Sequence, residues 1–211
     1  MAIKPILFNN EMVRTILDGR KTCTRRIVKD GIPDDAMWGY TAFTPKGYIT
    51  CRGVYADGYG EGFYKLPYKP GDIMYVRETW CKGYEDGTYI YRADDKLADL
   101  PTFKESSRMI YNPPINMPKE AARIWLKVTD VRVERLQDIT EAQAEKEGFI
   151  PQGLFAESEI TLPAAHWFSK FWNFTIKKSD LDRYGWAANP WVWVIEFERC
   201  EKPEEAEHER K

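Results

Sequence analysis

The sequence has little with which to build a metal site, a disulfide framework or a membrane span. Its four cysteines, Cys23, Cys51, Cys81 and Cys200, lie far apart, and only His166 and His208 are available to join them. That spacing contains no C-x-x-C pair and argues against zinc. A chain of 211 residues, 43% of them hydrophobic, has no need of covalent staples. Free thiols in a reducing cytoplasm are expected. No apolar run approaches membrane-spanning length, and MAIKPILFNN lacks the basic and apolar layout of a signal peptide. A soluble, cytoplasmic protein with no membrane partner is the expectation. An internal repeat, a phosphate-cradling glycine loop and a dinucleotide fingerprint are also missing, and no cofactor is expected.

An excess of positive charge is missing too. Lys and Arg number 31 against 33 Asp and Glu, a net charge of −2. The tail from Glu201 to Lys211, with five Glu, two Lys and one Arg, accounts for all of it, so the rest of the chain is neutral. A protein that grips a long nucleic-acid backbone carries a basic surplus; this one must confine its cations to a patch or bind something small. Aromatic residues are what the chain has in quantity, at 14% with eight tryptophans. Core packing is the commonest cause of such enrichment, and base-stacking surfaces are the rarer one. The length suits one domain with insertions.

Local patterns define the elements. Asn9 or Asn10 suits a helix N-cap, Met12, Val13, Ile16 and Leu17 form one apolar stripe, and Gly19 fits the position after the last turn. The next segment, RKTCTRRIV, favours a strand. Residues 30–68, rich in Gly, Pro, Tyr and Asp, read as an irregular insertion or a loose hairpin. KPGD at 69–72 is a turn that launches the strand IMYVRETW, with Glu78 on the same face as Met74, Val76 and Trp80. An acid there must be salt-bridged, with Arg26 or an arginine across the sheet, or belong to a site. In AARIWLKVTDVRVERL the apolar parity changes near Thr129-Asp130, which predicts a bulge or bend. Thr140 to Gln143 fits a capping box, with Gly148 closing the helix. Aromatics at helical spacing in 165–175 read as core, 191–198 as a central strand, and 201–211 as a disordered tail. Several strands, few helices and a parity-switching strand predict an α+β, mostly β domain: a small barrel with flanking helices.

The densest chemistry lies in GRKTCTRR, residues 19–26. Lys21 and Thr24 can serve as base and nucleophile, while Arg20, Arg25 and Arg26 can hold a phosphate or depress the lysine pKa. A solvated basic turn is the bland alternative. In an ideal strand residues three apart face opposite sides, so Lys21 and Thr24 converge only if a turn or bulge intervenes. Glu147 falls in the last turn of the capped helix, where the negative end of the macrodipole disfavours a carboxylate and suits a proton donor. Its alternative is a solvated helix-end glutamate like Glu141 and Glu145. Trp80 can stack on a pyrimidine or simply pack in the core.

Gly19, Lys21 and Arg26 stand in the spacing of the ASCH signature, commonly written GxKxxExR, with Thr24 in place of its acid. Together with KPGD and ITEAQAEKEGF, these residues give a chain that resembles the ASCH-domain proteins of the PUA-like superfamily, in particular their longer, phage-associated branch. The GRKTxTxR form is similar to that of the bacterial N(4)-acetylcytidine amidohydrolases. The resemblance covers about half the chain. It implies a PUA-like barrel over 1–200, with insertions at about 30–68, 82–118 and 150–190. It also implies Lys21 as proton acceptor, Thr24 as nucleophile and Glu147 as proton donor, acting on an acylated nucleoside or RNA base. On this reading Arg20, Arg25, Arg26, Glu78 and Trp80 are candidates to bind substrate or phosphate, and no metal is involved. The rivals are an RNA- or nucleotide-binding module without catalysis, a ribonuclease of the same superfamily, and a phage accessory factor working through protein contacts.

Overall fold

A computed structural model describes residues 1–29, 31–83, 87–94, 110–153 and 161–204. In chain order the first elements are β1 (Ile3–Leu7), α1 (Asn10–Leu17), β2 (Cys23–Ile27), β3 (Met37–Gly39), β4 (Tyr48–Tyr55) and β5 (Gly58–Lys65). Then come β6 (Ile73–Arg77), β7 (Trp80–Lys82), β8 (Tyr89–Tyr91) and β9 (Trp125–Arg135). The last are α2 (Glu141–Lys146), β10 (Gln152–Gly153), β11 (Thr161–Leu162), α3 (Ala164–Thr175), α4 (Leu181–Tyr184) and β12 (Trp191–Cys200). The architecture is α+β and mostly sheet. Its described residues form two compact units. One is drawn from Met1–Gly19, Gly71–Lys127 and Phe197–Lys211, the other from Arg20–Pro70 and Val128–Glu196.

In the first unit β1 lies parallel to β6, Ile3 opposite Ile73, and β6 lies antiparallel to β9, Tyr75 opposite Trp125. The turn before β6 works as its sequence requires: Gly71 adopts φ +86°, which favours glycine, and frees the next residue to point back. Asp72 then accepts from the Ala2 backbone N–H at 2.9 Å and the Lys4 amine at 3.0 Å, fixing the start of the chain beside β6. Asn9 caps α1 by accepting from Met12 N–H, and Val13 and Ile16 are its buried stripe. Ile73, Tyr75, Met117, Ala121, Ala122 and Trp125 form one buried cluster of this unit.

In the second unit β12 pairs antiparallel with β2, Val194 opposite Arg25 and Ile195 opposite Thr24. Alternation along the strands sends Cys23, Arg25, Val192 and Val194 to one face, where Cys23 and the two valines pack with Leu136, Ala144, Phe168 and Trp172 from the α2–α3 region. Thr24 and Arg26 take the other face, as does Trp193, whose ring meets Trp38 from β3 at 6.3 Å. The stretch 30–68, expected to be irregular or loosely paired, holds an ordered three-stranded sheet in the order β3-β4-β5. Tyr55 pairs with Gly58 across a two-residue turn, and Tyr48 with Lys65 at the far end.

The closed barrel expected from the sequence does not form. Among the described residues every strand order is linear, so that β1 is an edge of the first unit, β2 an edge of the second, and β3 and β5 the edges of the hairpin sheet. Closure requires strands long enough to tilt and stagger around a ring, and the edge strands β1, β2 and β3 have only five, five and three residues. The parity change in β9 is present: Leu126 and Val128 are buried, then Val131, within one uninterrupted strand. Of the tail, 205–211 lie outside the described residues. No helix among the described residues is long and apolar enough to cross a membrane.

Candidate active site

The site is built where the segment before β2 runs across the C-terminal end of α2. Gly148, at φ +99°, terminates that helix and leaves its last carbonyls without helical partners. Three consecutive residues satisfy them. Arg20 donates to the Gly148 carbonyl at 2.8 Å, the Lys21 amine to the Glu147 carbonyl at 2.9 Å, and the Thr22 backbone N–H to the Lys146 carbonyl at 2.8 Å. Two of these donors are cationic and sit at the negative end of the helix dipole, so the chain crosses here with a favourable charge arrangement.

The same crossing brings the Lys21 amine to the Glu147 carboxylate at 2.6 Å on Oε2. Arg25 reaches the other oxygen, donating from Nη1 to Oε1 at 3.2 Å. Its Nη2 donates to Glu134 at 3.3 Å and to the Gln143 side-chain oxygen at 3.2 Å. Lys21 and Arg25 are each 2% exposed and Glu147 3%. Burial pushes the Lys21 pKa down, the Glu147 charge opposes it, and the Arg26 charge adds to the downward pull; the net direction is down. Beside them Cys23 is pushed up to about 12, by burial first and by Glu147 second, so it stays a thiol.

Thr24 is fully buried, and its hydroxyl oxygen accepts from Arg26 Nη1 at 2.7 Å. A guanidinium so placed can stabilise negative charge on that oxygen. β2 begins only at Cys23, so Lys21 lies in the connector and is exempt from strand alternation with Thr24. Arg26 links the two electrostatically: it holds the Thr24 oxygen, and its charge acts on Lys21.

The sequence candidates therefore divide. Lys21, Arg25 and Glu147 meet directly, whereas Thr24 lies on the other face of β2 from Arg25 and its oxygen is held by Arg26. Arg20 and Arg25, read as phosphate or substrate ligands, direct guanidinium nitrogens at protein oxygens. Glu78 and Trp80 belong to the first unit. The partner of Glu78 is Arg123, not Arg26, in a two-pronged contact at 2.9 Å from both Nε and Nη2. Arg123 also grips Asp94 and lies 3.9 Å over the Tyr91 ring. Burial raises the Glu78 pKa, and Arg123 works against that rise. Trp80 pairs with Tyr91 across β7–β8 and meets the Tyr89 ring edge-on at 5.6 Å.

Sequence reasoning missed Glu134, Gln143 and Glu141 as structural or site partners. Gln143 is the capping-box residue of α2: its oxygen takes the Thr140 N–H at 2.9 Å and the same oxygen receives Arg25. Glu141 is no solvated glutamate. It accepts from the Ala164 and Ala165 backbone N–H groups and so caps α3, whose own N-cap is Pro163 and supplies no side-chain bond. Glu145 is exposed.

Among the described residues no group of three or more His, Cys, Asp or Glu side chains is placed to hold a metal ion. No protein-family model, curated protein or solved structure matches the chain.

Proposed function

We propose that the chain is an amidohydrolase acting on an acylated nucleobase such as N(4)-acetylcytidine, with Lys21 as base, Thr24 as nucleophile and Glu147 as acid. The observation that carries this reading is the buried Lys21–Glu147 contact at 2.6 Å, three positions along the chain from a buried threonine whose oxygen is held by the Arg26 guanidinium. The resemblance of GRKTCTRR to the ASCH amidohydrolases supports the same three roles.

Acyl transfer needs an activated nucleophile and a donor for the leaving amine. A buried amine and a buried carboxyl sharing one proton supply both. Moving the proton from Lys21 to Glu147 along their hydrogen bond gives a neutral amine and a neutral acid, and burial of Lys21 narrows the gap to that form. Thr24 Oγ1 then attacks the acyl carbon while its proton passes to Lys21 Nζ. The C–N bond breaks as Glu147 protonates the departing nitrogen, leaving acyl-Thr24, an ammonium and a carboxylate. Water attacks the ester and gives its proton to Glu147, and Lys21 returns one to the Thr24 oxygen, which releases the carboxylic acid and leaves the neutral amine and acid; return of the proton from Glu147 to Lys21 restores the resting pair. Each proton transfer of this kind is worth about 10²–10⁴ in rate. At rest the acting side chains are covered, so substrate entry requires their cover to open.

RNA binding without turnover has less support. The guanidiniums of Arg20, Arg25 and Arg26 direct nitrogens at protein oxygens, and the chain carries no basic surplus. A purely structural role has its own observation, the closure of the α2 carbonyls by residues 20–22. Incubating the protein with a panel of acylated nucleosides, read by mass spectrometry, separates the readings. Hydrolysis predicts paired release of free base nucleoside and carboxylic acid. Tight, salt-sensitive retention of short RNA with no product, or inertness toward both, would favour the alternatives.

A further inference from the structure

The sequence pattern gives Arg25 no role beyond that of one cation among three, yet its surroundings are the most constrained in the site. Its side chain is fully buried. The guanidinium is split between two directions, Nη1 to Glu147 and Nη2 to Glu134 and Gln143, and its carbon lies 5.7 Å over the Phe168 ring. Among the described residues its buried Nε–H has no hydrogen-bond partner. A buried cation with an unsatisfied donor is a poor way to stabilise a fold, since apolar side chains of similar volume commonly do as well or better. What the arrangement does provide is a fixed place for one carboxylate oxygen.

We infer that Arg25 is a positioning residue: it pins Glu147 Oε1 so that Oε2 is presented to the Lys21 amine, with Glu134 and Gln143 fixing Arg25 from behind. The inference rests on the reading of Lys21 and Glu147 as the proton-transfer pair. Arg25 itself touches no reacting atom in this scheme. Gln143 ties the device to the helix, because the oxygen that receives Arg25 is the one that completes the α2 capping box. Glu134 is held in turn by Arg132 at 2.6 Å, which also bonds Asp130 and Glu196. The position of the acid is thus set by a chain of planar groups in which two-sided, in-plane contacts matter, and a point charge cannot reproduce them.

Two variants test this. Arg25→Lys keeps the cation but loses the fork, and Arg25→Gln loses both. With N(4)-acetylcytidine as substrate, Arg25→Lys is expected to regain most of the thermal stability lost in Arg25→Gln. Its kcat is expected to stay about 10²-fold below wild type with KM little changed, the scale of loss that follows displacement of a catalytic group by about 1 Å. Recovery of kcat together with stability in Arg25→Lys would overturn the inference. A second readout does not depend on turnover. In lysine-¹⁵N-labelled protein the buried Lys21 ammonium exchanges its protons slowly while Glu147 holds it, and Arg25→Lys should speed that exchange at least tenfold, beyond what its remaining loss of global stability accounts for. Equal exchange in wild type and Arg25→Lys would overturn the positioning role even if no substrate is hydrolysed. Fast exchange in the variant with an inert wild type would retain the positioning and remove the hydrolase reading.

Discussion

Replacing Glu147 by Gln isolates the electrostatic core of the site, because it preserves shape and removes one charge. Lys21 then stays buried and loses the carboxylate that faces it at 2.6 Å. The largest influence on its pKa is burial, which pulls downward, and Glu147 is the first of the groups that resist. Without Glu147 the folded-state pKa falls further below the unfolded value of about 10.4. A lysine whose pKa is depressed on folding costs stability: the cost is full below its folded pKa and is relieved as pH rises toward the unfolded value. At pH 7 that cost cannot exceed about 4.6 kcal/mol, roughly 3.4 pH units at about 1.4 kcal/mol each, because Lys21 will shed its proton rather than pay more. Breaking one side of a buried pair costs about 3–5 kcal/mol in general, in agreement with that ceiling. The wild type already carries part of that cost, since its own Lys21 pKa is lowered, so the variant should lose about 2–3 kcal/mol at pH 7 relative to wild type. The gap should close by up to about 1.4 kcal/mol per pH unit as pH rises, until Lys21 titrates in the wild type as well. Urea unfolding followed by tryptophan fluorescence and circular dichroism between pH 7 and 10 measures both quantities. A gap below about 1 kcal/mol at pH 7, or one that does not change with pH, would refute the reasoning.

Other outcomes follow from single contacts. Thr24→Ala should abolish hydrolysis of N(4)-acetylcytidine, whereas Thr24→Ser, which keeps the oxygen, should retain measurable turnover; steady-state kinetics on both decides. Glu141→Ala removes the carboxylate that caps α3 at Ala164 and Ala165 and should cost about 0.5–2 kcal/mol, read by chemical denaturation. Glu78→Gln removes the carboxylate that meets the Arg123 fork; because Arg123 is partly exposed and keeps Asp94, the cost should be about 1–3 kcal/mol by chemical denaturation, and an unchanged midpoint would contradict this.

Local chemistry was legible and remote partnership was not. Asn9 and the Thr140–Gln143 box announce α1 and α2 because a cap is a contact over three residues. Glycines 71 and 148 mark turns because few other residues accept their positive φ. Lys21 and Glu147 are separated by 126 positions, and only the resemblance of the motif joined them before the structure did. Arg123, the true partner of Glu78, lies 45 residues away in a run that reads simply as strand. Glu141 looks like any first-turn acid, and its use as a cap for α3 depends on a helix that starts at Ala164. In 30–68 the glycines and prolines mask β-pairing that closes through Ala56-Asp57, with Gly58 at φ +117° taking up the next strand. The barrel failed for a related reason: strand-forming patterns show that residues will pair, but closure is a property of strand length and stagger over the whole sheet.

The most direct measurement is the rate of cytidine release from N(4)-acetylcytidine by the wild type, by Lys21→Met, by Thr24→Val and by the protein carrying both changes. If the amine and the hydroxyl act in one step, each single variant should lose activity by about 10³-fold or more, and the double variant should be no worse than either. Release at the wild-type rate by either single variant, or no release by the wild type, would contradict the account.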